Sequence, residues 1–236
     1  MDMVPAPGSL PIYIQIAELL IRDIAANRLI DGERLPPERD MAAELGIAVG
    51  TLRKALAELE KRGLLERRQG SGNYIHAISD PESVYAMFRL ELLDGGGLPT
   101  AVILSVDRCG KAADLPQFGT SGEGHRIRRL RRLSGKPAAL EEIWLDAGYA
   151  EVLKAEDLSE SLYLYYRQKL GLWIVRAEDR IGLGAVPDWT PSEFGMSAGA
   201  PVPHVLRVSQ EQHGARAEVS HTWFDPAVAR YVARLK

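Results

Sequence analysis

Residues 35–76, LPPERDMAAELGIAVGTLRKALAELEKRGLLERRQGSGNYIH, read as a helix, a turn, a second helix and a β-hairpin. Pro36 and Pro37 supply the fixed φ of a first helical position, and Glu38 places negative charge in the first turn. Met41, Ala42 and Leu45 form an apolar stripe. Gly46 ends that helix, because glycine takes the left-handed conformation without a Cβ clash. The second helix is expected over about 49–62, with Leu52, Ala55, Leu56 and Leu59 on one face. Opposite them, at its start, stand Gly50, Thr51, Arg53 and Lys54, small or basic groups suited to a major groove. In a helix taken alone the same residues would be an ordinary solvated face. The hairpin decides between the two. After Gly63, residues 64–68, 69–72 and 73–75 read as strand, tight glycine turn and strand. Arg67 and Arg68 stand at its neck, and the amides of Gly70 and Gly72 at its tip are unshielded by side chains, which suits a phosphate backbone. That order is a winged helix-turn-helix.

From residue 10 to residue 75 the chain resembles the DNA-binding domain of the GntR family of bacterial transcription regulators. The segments that carry the resemblance are LPIYIQIAELL, LPPER (similar to the family's LPSER), LG, TLRKAL, GLL and GSGNYI (similar to GxGTFV). It implies a homodimer that reads a palindromic double-stranded DNA operator, with Arg39 and Arg53 as DNA contacts and the wing in the minor groove. One place departs from the pattern. Ala48-Val49 stand where the family usually has Ser-Arg, which removes one base-reading arginine and one hydroxyl and leaves the operator sequence open. Apolar contact with thymine methyl groups is available in their place.

A chain of 236 residues, 46% of them hydrophobic, is globular and long enough for two domains. Its formal net charge of −3 argues against a protein that coats DNA regardless of sequence. Locally, Arg53, Lys54, Lys61, Arg62, Arg67 and Arg68 outweigh Glu58, Glu60 and Glu66. The single cysteine, Cys109, can form no internal disulfide and carries no sign of a catalytic thiol, in keeping with a reducing cytoplasm. The segment MDMVPAPGSLPIY lacks the basic and apolar regions of a secretory signal, and no apolar run approaches a membrane span.

The expected organisation is a DNA-binding domain over 1–76, a linker over 77–84 and an effector-binding and dimerisation domain over 85–236. Ahead of the quoted stretch, residues 10–29 form a helix on Ile12, Ile16, Leu19, Leu20 and Ile24, with Tyr13 and Gln15 facing elsewhere. Beyond the linker, strands are expected over 86–93 and 100–107, joined by Gly95-Gly96-Gly97-Leu98-Pro99, and over 173–184, 202–212 and 216–224. Helices are expected from Ser161 and over 190–194. Residues 125–145 are the informative part. Ile127, Arg129, Arg131 and Leu133 share one strand face, and Ala139, Glu141, Ile143 and Leu145 line one face of the returning strand. Charges within apolar stripes must pair or meet a charged ligand, and a structural Arg–Glu bridge fits the pattern as well as a binding site does. The five histidines lack metal-ligand spacing, and no metal or cofactor is implied.

From about Tyr85 onward the chain is similar to the effector-binding domain of the HutC subfamily, the UTRA domain, which shares the chorismate-lyase fold. RLRRLSGKPAALEE, SLYLYY, GAPVPHVLRV and AEVSHTWF carry the likeness. It implies that Arg129 and Arg131 bind an anionic group, such as a sugar phosphate or carboxylate. Glu141, Ser161, Tyr163 and Glu218 would then receive hydroxyls or amines, with Phe224 an aromatic wall and Phe88 and Arg89 near the entrance. The fold class is α+β, a winged helix-turn-helix followed by an α+β domain with an antiparallel sheet. The function expected is a ligand-controlled transcription regulator, a repressor and not an enzyme. The alternative is a chorismate-lyase-like enzyme acting on a carboxylate, for which no nucleophile–base pair at recognisable spacing is present.

Overall fold

The computed structural model describes residues 10–26, 28–76, 85 and 87–234, so the expected linker over 77–84 lies outside the described residues. The chain forms two compact units that divide between Phe88 and Arg89, with the segment from Ala233 assigned to the first.

In the first unit, helices α1 (Ile12–Ala25), α2 (Glu38–Glu44) and α3 (Val49–Lys61) precede a hairpin of β1 (Leu65–Arg68) and β2 (Gly72–Ile75). Helices this short are marginal in water by themselves. Packing holds them: Ile16, Leu20 and Ile24 of α1 meet Leu52, Leu56 and Leu59 of α3 with Met41, Leu64 and Ile75 in one core, each burial contributing about 1.5–3 kcal/mol. Gly46 and Gly63 take φ values of 63° and 72°, as the helix ends require. Gln15 departs from expectation. Rather than facing away it is buried, and its Nε2 donates to the Leu10 carbonyl at 2.6 Å, so the amide is satisfied inside the core.

The second unit contains β3 (Leu90–Leu92), β4 (Pro99–Gly110), β5 (Glu123–Leu133), β6 (Lys136–Asp146), α4 (Leu162–Tyr165), β7 (Ile174–Ala185), β8 (Pro201–Glu211), β9 (Arg216–Phe224) and β10 (Ala229–Tyr231). A π-helical turn, Tyr166–Leu170, continues α4, and the helix expected near residue 192 is a 3₁₀ turn, Ser192–Phe194. Six strands form an antiparallel sheet in the order β4-β5-β6-β9-β8-β7. The strand expected over 86–93 is corrected to the short β3, which pairs with β10 instead of joining β4's sheet. Gly97, at φ 98°, lets the link between them pass where a Cβ would lie 3.0 Å from Leu92 and 3.1 Å from Leu133.

Register fixes the faces. Arg129 lies opposite Glu141, Ala139 opposite Phe224, and Glu218 opposite both Leu145 and Ser209. These residues, with Arg131, therefore share one face. The other face carries Leu130, Leu140, Val202 and Trp223 beneath Val186, Trp189 and Phe194, and Trp144, Val208 and Val219 beneath Phe118. Among the described residues, no helix is long and apolar enough to cross a membrane.

Candidate functional site

The first unit presents Arg39, Arg53, Lys54, Arg67 and Arg68 to solvent, while Arg22 and the Arg62–Glu18 pair are largely buried. Arg39, Gly50, Arg53 and Lys54 are exposed and Thr51 is half-buried, while the apolar face of α3 is turned into the core. Ala48, at the N-cap of α3, offers no side-chain oxygen to the first-turn amides. Arg53 Nε donates to Glu38 Oε2 at 2.6 Å, and that hydrogen bond helps hold Glu38 below the usual carboxylate range. Arg67 meets Glu60 at 3.0 Å and donates to the Arg53 carbonyl at 3.3 Å, tying the hairpin to α3. Arg68 meets Glu66 at 2.9 Å and lies 4.3 Å from the centroid of the Tyr74 ring. Gly70 and Gly72 have φ values of 74° and 123°, and the Ser71 and Tyr74 hydroxyls lie 2.7 Å apart beside them. Exposed pairs of this kind are screened by water and salt and contribute little. Phosphate oxygens can therefore replace Glu38, Glu60 and Glu66 at little cost.

The second unit holds a group of charged side chains inside. Arg129, Arg131 and Glu141 are all buried. Both guanidiniums engage the one carboxylate: Arg129 Nε donates to Glu141 Oε2, and Arg131 donates to Oε2 at 3.1 Å and to Oε1 at 3.4 Å. The Glu160 carbonyl accepts from Arg129 at 3.2 Å and from Arg131 at 3.4 Å. Burial and then the neighbouring Arg131 charge lower the pKa of Arg129. Burial raises Glu141, but the two arginine charges and their hydrogen bonds outweigh it and hold the carboxyl below its usual range.

Beside this cluster lies a second one, also buried. Glu218 Oε1 accepts from the Tyr163 hydroxyl at 3.0 Å and from Ser209 at 3.1 Å, and burial raises its carboxyl above the usual range. The Tyr166 hydroxyl faces the Glu218 carboxylate closely enough for each to shift the other's ionisation. Ser161 caps α4, accepting from the Leu164 amide at 3.4 Å, and Phe224 is buried on the same sheet face.

Of the expected second-domain residues, the structure gathers Arg129, Arg131 and Glu141 directly, and Tyr163 with Glu218. Phe88 falls in the first unit, where the Arg22 guanidinium lies 4.9 Å from its ring centroid. Arg89 opens the second unit, and its charge acts on Asp179 and Tyr231. Sequence reasoning missed Ser209, Tyr166 and the trio of Asp179, Arg207 and Tyr231. Arg207 makes two 2.6 Å bonds to Asp179, which also accepts from the Tyr231 hydroxyl. The alternation Val205, Arg207, Ser209 along β8 was the available signal. Among the described residues no group of His, Cys, Asp or Glu is arranged to hold a metal ion.

The model for bacterial regulatory proteins of the gntR family matches residues 12–75, and the UTRA domain matches residues 97–228. Over 97% of its length the chain is 70% identical to the HTH-type transcriptional regulator SmoD of Agrobacterium fabrum, covering 98% of that protein. It is 27% identical to the HTH-type transcriptional repressor NagR of Bacillus subtilis, over 89% of this chain and 88% of NagR. Among solved structures, the possible transcriptional regulator YydK from Bacillus subtilis has the same fold, with a TM-score of 0.53 at 20% identity over 96% of this chain and 100% of that one.

Proposed function

The chain belongs to the gntR family of bacterial regulatory proteins and is a DNA-binding transcription regulator with a UTRA effector domain; we propose that it is a cytoplasmic repressor of the HutC subfamily whose operator binding is controlled by a small anionic metabolite. The observation that carries the ligand class is the buried Arg129–Arg131–Glu141 cluster beside the Glu218–Tyr163–Tyr166 nest on one sheet face. Two guanidiniums suit an oxyanion and the nest suits a hydroxyl or amine, so the effector is an anion that also carries hydrogen-bond donors. The repressor reading is supported by the name of the relative NagR.

At the other end, Arg39, Arg53 and Lys54 meet a major groove while Gly70, Gly72, Arg67 and Arg68 meet the backbone. One head offers few base contacts, so the working unit is a homodimer on a palindromic operator. Effector and operator are then linked, one weakening or strengthening the other, through a coupling of roughly 1–3 kcal/mol. The second unit binds its ligand without turning it over.

Two variants test the assignment of roles. Arg53→Ala abolishes operator binding in a fluorescence-anisotropy titration and leaves dimerisation unchanged; unaltered affinity would displace α3 as the reading helix. Arg131→Ala keeps operator binding and loses the response to anionic metabolites, and a normal response would reduce Arg131 to a structural bridge.

A further inference from the structure

The two arginines assigned to an anion already hold one. Glu141 sits between them with both carboxylate oxygens engaged, Oε2 by Arg129 and Arg131 and Oε1 by Arg131, and the three side chains are at most 8% exposed. Two parallel N–H···O contacts on one oxyanion are the arrangement an effector's phosphate, sulfonate or carboxylate would itself adopt. We propose that Glu141 is the site's resident counter-anion, an internal stand-in that an effector's oxyanion must displace from between Arg129 and Arg131. This inference rests on reading the second unit as an anion-effector site.

The surroundings give displacement a second consequence. The charged groups that act on Glu141 are Arg129 and Arg131 on β5, while Glu218 on β9 and Tyr166 on the turn that follows α4 act on Arg129, and the backbone carbonyl of Glu160 accepts from both arginines. Only the two arginines favour its charged form. A carboxylate moved out of their reach but kept within the domain has lost what offsets its desolvation, and it takes up one proton from solvent. Anion binding therefore strengthens as pH falls, by up to about tenfold per pH unit for one whole proton. Where the open form with Glu141 swung away is a minor state of about 1–10%, the apparent affinity of the wild type is weakened by that fraction, roughly ten- to hundredfold.

The test uses the full chain and inorganic sulfate, an anion that does not titrate near neutral pH, with chloride at matched ionic strength as control. Calorimetry on wild type, Glu141→Gln and the double variant Glu141→Gln/Arg131→Gln is expected to show sulfate binding about ten- to hundredfold tighter in Glu141→Gln, lost in the double variant. Wild type should bind more tightly at pH 6 than at pH 7, and Glu141→Gln should lose that dependence. Equal, pH-independent, Arg131-dependent binding in wild type and Glu141→Gln would overturn the counter-anion while leaving the anion site standing. No Arg131-dependent binding in either protein would overturn both. If Glu141→Gln does not fold, wild type alone decides: titrations in two buffers of different ionisation enthalpy should give close to one proton taken up per sulfate, and zero overturns the proposal.

Discussion

The same ion pair is used in opposite ways by the two units. Arg53 holds Glu38 at 2.6 Å with its side chain 64% exposed, whereas Arg129 and Arg131 hold Glu141 with side chains 8% and 3% exposed. In water and salt the first pair is screened and easily exchanged. The second is not: removing one partner leaves a buried charge without compensation. Geometry is similar in the two places, so the difference lies in solvation. On the proposed reading, a surface that trades its carboxylates for a polyanion keeps them wet, and a site that answers to one small anion keeps its carboxylate dry.

The largest expected effect would break this contrast if it failed to appear. Glu141→Gln in chloride buffer should destabilise the chain by about 3–5 kcal/mol in urea unfolding, because two adjacent guanidiniums lose their shared anion. A loss as small as that of a surface pair would put Glu141 on the same footing as Glu38. Next, Arg53→Ala should weaken operator binding by about 1–3 kcal/mol per half-site, with stability within about 0.5 kcal/mol of wild type. Anisotropy and thermal melts separate the two readouts.

A half-buried case sharpens the comparison. His204 and His221 stack with Trp223 on the opposite sheet face, their nitrogens 2.9 Å apart, and burial pushes His204 down to about 4 and lowers His221. The unfolded chain takes up a proton near pH 6.5 and folded His204 only near 4, so the unfolded state binds more protons between them. Stability contributed by neutral His204 is therefore present above about pH 6.5 and is lost as pH falls toward 4. His204→Gln should flatten that part of a stability–pH profile; an unchanged slope would mean the ring titrates as if exposed. The smallest effect belongs to Glu38→Gln, which frees Arg53 and should tighten operator binding by no more than a few-fold while shifting stability by less than about 1 kcal/mol.

What the sequence shows and hides follows the range of the interactions. Gly46, Gly63, the apolar face of α3 and the glycine-tipped hairpin are local signals, and each stands where its chemistry indicates. Arg129, Arg131 and Glu141 were legible for the same reason, since a period of two on adjacent strands places them on one face and the two-residue turn Ser134-Gly135 sets their register. Pairing between distant segments was not. β3 meets β10 across more than a hundred residues, and the glycine run after it imitates a hairpin. Asp179 is 28 residues from Arg207 and 52 from Tyr231, so no local pattern joins them. Gln15 misled because a polar residue on a helix reads as exposed, whereas here a carbonyl five residues upstream satisfies it. Tyr166 is buried, and its hydroxyl is turned to Glu218, a carboxylate 52 residues further along the chain that no local pattern joins to it.

The most direct measurement is selection of genomic fragments by the purified full chain, at near-physiological salt and with excess competitor duplex. The expected result is strong enrichment of one sequence with two-fold symmetry, reduced to background by Arg53→Ala. Uniform recovery of any duplex, or nothing above background from the wild type, would contradict a regulator whose exposed carboxylates give way to a specific operator.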